Sequence, residues 1–125
     1  ILRGGSDTNY ESSFVESTSK ELEAAKKSKN IMIDMSHGNS KKQFKRQLIV
    51  NKDISDQISS GENRIFGVMI ESHLEEGNQK IGPLEEIKYG QSITDACVGW
   101  NDTEIMINQL STAIENKRKK LHKSA

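Results

Sequence analysis

Two short apolar runs, Ile31 to Met35 and Ile65 to Ile70, constrain this chain more than any other feature. Each has the length and side chains of a buried strand, and the residues between them carry a helical rather than an alternating pattern. Two strands joined through a helix run parallel, because the crossover returns the chain to the edge it left. Both runs also end in groups that carry chemistry: Ser36-His37-Gly38-Asn39-Ser40 after the first and Glu71-Ser72-His73 after the second. In parallel α/β folds those strand ends are where active groups collect.

The rest of the chain fits around this unit. Ile1-Leu2-Arg3-Gly4-Gly5 reads as the tail of a strand entering a turn. Ser13 and Glu16 have capping-box spacing and open a helix to about Lys27, with Phe14, Thr18, Leu22 and Ala25 as a narrow apolar stripe. Ser40 is the expected cap of a second helix to about Ser60; Phe44, Leu48, Ile54 and Ile58 form its apolar face, and Gly61 suits its left-handed C-terminal position. Leu74 to Tyr89 loses all periodicity and reads as a long irregular loop, with Ser92 to Trp100 as a more ordered continuation. Asn101 or Asp102 then caps a last helix through Leu121, burying Met106, Leu110, Ala113, Ile114 and Leu121. Lys117-Arg118-Lys119-Lys120 complement the dipole of its final turns. The order is α/β, a piece of a doubly wound sheet or of a (β/α)8 barrel. A full barrel takes about 250 residues, so this chain supplies its last three βα units at most.

Composition removes several functions. The 18 basic and 18 acidic side chains cancel, which leaves no electrostatic argument for nucleic acid or an acidic membrane. Apolar runs of about six residues fall far short of the roughly 20 that span a bilayer, and no signal-peptide pattern opens the chain. The expectation is a soluble, cytoplasmic protein. Cys97 is the lone cysteine and has no intrachain disulfide partner. A hydrophobic content of 33% is thin for a self-sufficient α/β core.

His37, Glu71 and Asp95 each fall at or just beyond a strand end and so converge on one face. One imidazole and two carboxylates are a donor set for Mn²⁺, Fe²⁺, Co²⁺ or Zn²⁺; a hydrogen-bonded structural histidine accounts for His37 equally well on spacing alone. Arg3, delivered beside two glycines, can grip a phosphate or carboxylate in bidentate fashion, or it is a surface arginine in a turn. His73 is a further ligand, a partner of one, or a solvent-facing side chain. Asp34 points away from Ile33 and Met35, and a buried acid there needs a partner, such as a neighbour that it orients. Cys97 among Ala, Val and Gly reads as a small core residue rather than a thiolate ligand. The basic run at 117–120 reads as a solvated helix end, since no aromatics are interleaved with it. No G-x-G-x-x-G, P-loop, acyl-transfer triad or C-x-x-C is present.

Four stretches, taken together and in order, closely resemble one family. They are Leu2-Arg3-Gly4-Gly5, Met32 to Ser40 (MIDMSHGNS), Gly67 to Gln79 (GVMIESHLEEGNQ) and Tyr89 to Trp100 (YGQSITDACVGW). The family is the class I 3-deoxy-D-arabino-heptulosonate 7-phosphate (DAHP) synthases, or phospho-2-dehydro-3-deoxyheptonate aldolases, and the resemblance covers essentially the whole chain. It implies a transferase that condenses phosphoenolpyruvate with erythrose 4-phosphate and water, releasing phosphate, as the first step of the shikimate route to chorismate and the aromatic amino acids. It implies the C-terminal portion of a single (β/α)8 barrel domain, inactive on its own. The family binds one divalent metal through a cysteine, a histidine, a glutamate and an aspartate. His37, Glu71 and Asp95 match the last three as metal and catalytic residues, and nothing here matches the cysteine. Arg3 and His37 match groups that hold phosphoenolpyruvate, and Asp95 is expected to border substrate as well. Feedback by an aromatic amino acid and a homodimer or homotetramer are family expectations. The competing readings are a sister synthase acting on a different sugar phosphate, against which the Gly67 to His73 stretch argues, and a non-catalytic metal-binding or interaction fragment.

Overall fold

The computed structural model describes residues 1–123. Its elements, in chain order, are α1 (Ser12–Ala24), β1 (Ile31–Asp34), a short 3-10 turn (Phe44–Arg46), α2 (Gln47–Ser60), β2 (Ile65–Met69), β3 (Glu75–Asn78), β4 (Gln91–Ser92) and α3 (Trp100–Lys123). The chain is α/β, as its apolar pattern requires. β1 and β2 pair in parallel with Ile33 opposite Val68 and Asp34 opposite Met69. Single-residue parallel bridges extend the pairing on both sides, Leu2 with Ile33 and Ser72 with Val98. Four extended segments therefore lie side by side in chain order. The register slips between Ile31 and Met32, which makes Phe66 the extra residue of β2 and turns it outward.

One core serves the whole chain. Ile31, Ile33, Met35 and Ile65 from the strands meet Val15 of α1, Val50, Ile54 and Ile58 of α2, and Met106 and Ala113 of α3. α2 and α3 pack on each other and are pinned by Asn51, whose Nδ2 donates to Met106 O at 3.2 Å and to Gln109 Oε1 at 2.7 Å. None of the described helices is long and apolar enough to cross a membrane.

Several elements depart from the sequence expectations. α1 buries Val15 and Ser19 with Leu22 beside them, and Phe14 is left exposed; the small Ser19, which carries no hydrophobic signal, marks the face that faces inward. Its first turn has no side-chain cap, because Glu16 is drawn instead to Arg64 at 2.5 Å and to Lys20. Gly61 does close α2 in the left-handed region at φ 117°, but α2 starts at Gln47 rather than at Ser40. Between them His37, Lys41 and Lys42 all take positive φ, so the backbone cannot propagate a helix through this turn. The segment expected to be irregular contains β3, which pairs with β4. Gln79 ties off the loop beyond β3: its side chain donates to the carbonyls of Lys88 and Gln91 and accepts from Lys88 N–H. Side-chain amides hold this region, so no hydrophobic period announces it. In α3, Ile114 and Leu121 are exposed while Thr103 is buried.

Candidate metal centre

The first strand ends against two glycines. Gly4 and Gly38 face each other so closely that a Cβ on Gly4 would lie 2.5 Å from Asn39 N, and one on Gly38 would fall onto the backbone of Gly5. Asn39, fully buried, locks the crossing: its Nδ2 donates to Asp34 O at 2.8 Å and Leu2 O at 3.2 Å, while its Oδ1 accepts from Asn9 N–H. This close approach is what sets Arg3 beside His37.

His37 itself sits at φ 45°, a conformation that costs a residue with a Cβ about 1–2 kcal/mol. Asp34 offsets that cost. Its buried carboxylate accepts from Ser36 N–H at 2.8 Å through Oδ1 and lies 2.7 Å from His37 Nδ1 through Oδ2. A carboxylate only accepts, so Nδ1 carries a proton, and in the neutral ring Nε2 keeps its lone pair. Nε2 faces Glu71 Oε1 at 3.6 Å. The other Glu71 oxygen, Oε2, accepts from Ser36 Oγ–H at 2.6 Å.

Asp95 comes from the loop that β3 organises. Asn78 Nδ2 donates to Thr94 O at 2.8 Å on one side, and Gly77 and Cys97 exchange backbone hydrogen bonds on the other. Asp95 follows β4 by three residues, just beyond a strand end, and is held by this side bracket.

Donor atoms of His37, Glu71 and Asp95 all lie within 4.8 Å of one another. The 3.6 Å between Nε2 and Oε1 is too long for a hydrogen bond and close to the roughly 3.4 Å between ligands of a tetrahedral cation with bonds of about 2.1 Å. Mutual repulsion between Glu71 and the exposed Asp95 opposes such convergence, and a cation between them would relieve it. The residues therefore fit a divalent metal. They line a cleft of about 250 Å³ with Arg3, Ser36, Lys42, Phe44 and Ala96. Among the described residues neither Arg3 nor Lys42 is ion-paired, so both cations are available to an anion in the cleft.

Of the remaining candidates, His73 is exposed and its Nδ1 accepts from Leu74 N–H at 2.8 Å; it stands outside the donor group. Cys97 is half-buried rather than a core residue, and it too stands outside. Burial, with Glu71 and Asp95 adding to it, pushes its thiol up and away from the thiolate form. Sequence reasoning missed Ser36, Lys42 and Phe44. A serine beside the histidine gives no signal until the strand pairing brings Glu71 alongside it.

Parallel segments in chain order, with an imidazole and two carboxylates gathered beyond their ends, define an α/β chain with a metal-type donor set at its strand-end face. The sequence model of the DAHP synthetase I family matches residues 1–108. Among curated relatives, the Phe-sensitive phospho-2-dehydro-3-deoxyheptonate aldolase of Escherichia coli K12 is 48% identical over 118 residues, 94% of this chain and 34% of its own length. The phenylalanine-inhibited enzyme of Saccharomyces cerevisiae is 50% identical over 131 residues, 98% of this chain and 35% of its own. A phospho-2-dehydro-3-deoxyheptonate aldolase structure from Francisella tularensis superposes with a TM-score of 0.87 at 42% identity, over 92% of this chain and 33% of that one. The chain belongs to the DAHP synthetase I family. It spans about a third of the length of the relatives it matches.

Proposed function

We propose that this chain forms the metal-holding part of a DAHP synthase, in which phosphoenolpyruvate, erythrose 4-phosphate and water give DAHP and inorganic phosphate. The observation that carries the reading is the meeting of His37, Glu71 and Asp95 donor atoms within 4.8 Å in the cleft that Arg3 also lines. The chain-order parallel segments and the one-third span support a further reading, that these residues are the last three βα units of a (β/α)8 barrel domain. Exposed apolar side chains such as Ile1 and Phe66 at the strands, 85% and 67% accessible, are the surface that further strands would cover.

In the reaction, the enolpyruvate carbon bonds to the aldehyde carbon, water adds to the enolpyruvate's oxygen-bearing carbon, and phosphate leaves. His37, Glu71 and Asp95 would hold a divalent cation, which would supply Lewis acidity for the charge that develops on the aldehyde oxygen. Arg3 grips an anionic group of phosphoenolpyruvate in the same cleft, which turns an encounter of two repelling anions into a positioned pair. Lys42 adds a second cation on that wall. Asp34 keeps the proton on His37 Nδ1, so the ring presents its lone pair to the cleft. Because relatives include Phe-sensitive and Trp-sensitive enzymes, an aromatic amino acid is the expected class of feedback inhibitor.

The test replaces the matching 118 residues of the Escherichia coli Phe-sensitive enzyme with this chain. The chimera is expected to release phosphate from phosphoenolpyruvate only when erythrose 4-phosphate is present, and to lose this on treatment with a chelator. A folded chimera without such activity contradicts it.

A further inference from the structure

Gln47 opens α2 on the side that packs against the strands, where the core otherwise uses Ile, Val and Met. It is fully buried. An amide in that position costs free energy unless both of its ends are bonded. Both ends go to one residue: Nε2 donates to Glu71 O at 3.0 Å, and Oε1 accepts from Glu71 N–H at 2.9 Å. Glu71 lies two residues past the end of β2, where its backbone has left the β1 ladder, so the Gln47 side chain serves as a substitute strand partner. Val98 N–H adds a bond to Glu71 O at 3.0 Å from the other side. With Ser36 on Oε2, Glu71 is fixed at backbone and carboxylate alike, and only Oε1 is left facing His37.

We infer that Gln47 is a positioning residue for the metal site: its amide clamp sets the backbone of Glu71 and thereby aims Oε1 at the point where His37 and Asp95 converge. This rests on the metal reading above. A second buried amide one turn further along α2 provides the control. Asn51 is as buried as Gln47, but its bonds go to Met106 and Gln109 of α3 and reach nothing in the cleft. Asn51 bonds only through Nδ2, with its buried Oδ1 left unpartnered, and only Gln47 touches the site.

The test titrates Mn²⁺ into the full-length protein and into its Gln47→Met and Asn51→Leu variants, following dissociation constants by calorimetry and stability by thermal melting. The expected result is an Mn²⁺ dissociation constant raised about 10- to 100-fold in Gln47→Met, and one within about twofold of the parent in Asn51→Leu, although both melt lower. If Gln47→Met does not fold, Gln47→Glu keeps the side chain's size and its acceptor for Glu71 N–H while losing the donor, and is expected to weaken binding at least about fivefold. An unchanged constant in the Gln47 variants, or an equal rise in Asn51→Leu, overturns the inference while leaving the metal site standing. A parent protein that binds no Mn²⁺ overturns the metal reading and this inference together.

Discussion

Asp34 Oδ2 lies 2.7 Å from His37 Nδ1 across a backbone turn in which His37 adopts φ 45°. The contact fixes both the tautomer and the direction of the ring, because the acid is buried and cannot be replaced by water. Asp34→Asn keeps the shape but accepts only through its amide oxygen and adds a donor, so the ring is free to flip or to place its proton on Nε2. In the full-length protein this variant is expected to weaken Mn²⁺ binding about 10- to 100-fold with a small change in melting temperature. Calorimetric titration at constant pH checks it; an unaltered dissociation constant would show that Asp34 does not direct the imidazole.

The glycine pair carries a second prediction. A methyl group at Gly38 has to displace the Gly5 backbone, and one at Gly4 must also tolerate φ 71°. Gly38→Ala is therefore expected to cost about 1–3 kcal/mol, and Gly4→Ala more, read from urea denaturation of the full-length protein. Both variants also move Arg3 away from His37, so half-saturation by phosphoenolpyruvate should shift upward in Gly38→Ala before turnover falls. Stability and affinity equal to the parent's would mean that the two backbones have room to part.

Much of the architecture is legible in the residues. Ile31 to Met35 announces a strand because buried strands are continuous apolar runs; Ile65 to Ile70 announces its parallel partner, although only Ile65 of that run is fully buried, and Gly61 announces the end of α2 because a left-handed residue must follow it. His37, Glu71 and Asp95 are legible as donor types, although only folding brings Asp95 in, by way of β3 and the Gly77 and Cys97 backbone pair. What escapes the sequence is held by something other than a hydrophobic stripe. The start of α2 depends on a turn of positive-φ residues, the inner face of α1 on the small Ser19, and the 75–92 segment on amide side chains such as Gln79. Periodicity carries no trace of these.

Away from the cleft, Arg64 grips Glu62 with two parallel bonds, Nε to Oε1 at 2.8 Å and Nη2 to Oε2 at 2.7 Å, and holds that carboxyl below its usual range. A carboxylate whose folded value is lowered stabilises the fold fully above its unfolded value of about 4.3 and loses that stabilisation as pH falls through the lowered folded value. Glu62→Gln is accordingly expected to melt lower than the parent at pH 7, by the equivalent of about 0.5–1 kcal/mol, and the gap should close as both are taken below about pH 4. Thermal melts across that range decide it. A gap that stays constant or widens in acid would mean that the pair contributes through shape rather than charge.

His37, Glu71 and Asp95 are proposed to hold one divalent cation on which DAHP formation depends. The most direct measurement is metal content per chain together with turnover in the full-length protein and in its His37→Ala and Glu71→Gln variants. One divalent ion per chain is expected in the parent, with bound metal and DAHP formation lost together in both variants. Near-parental metal content and turnover in either variant would contradict it.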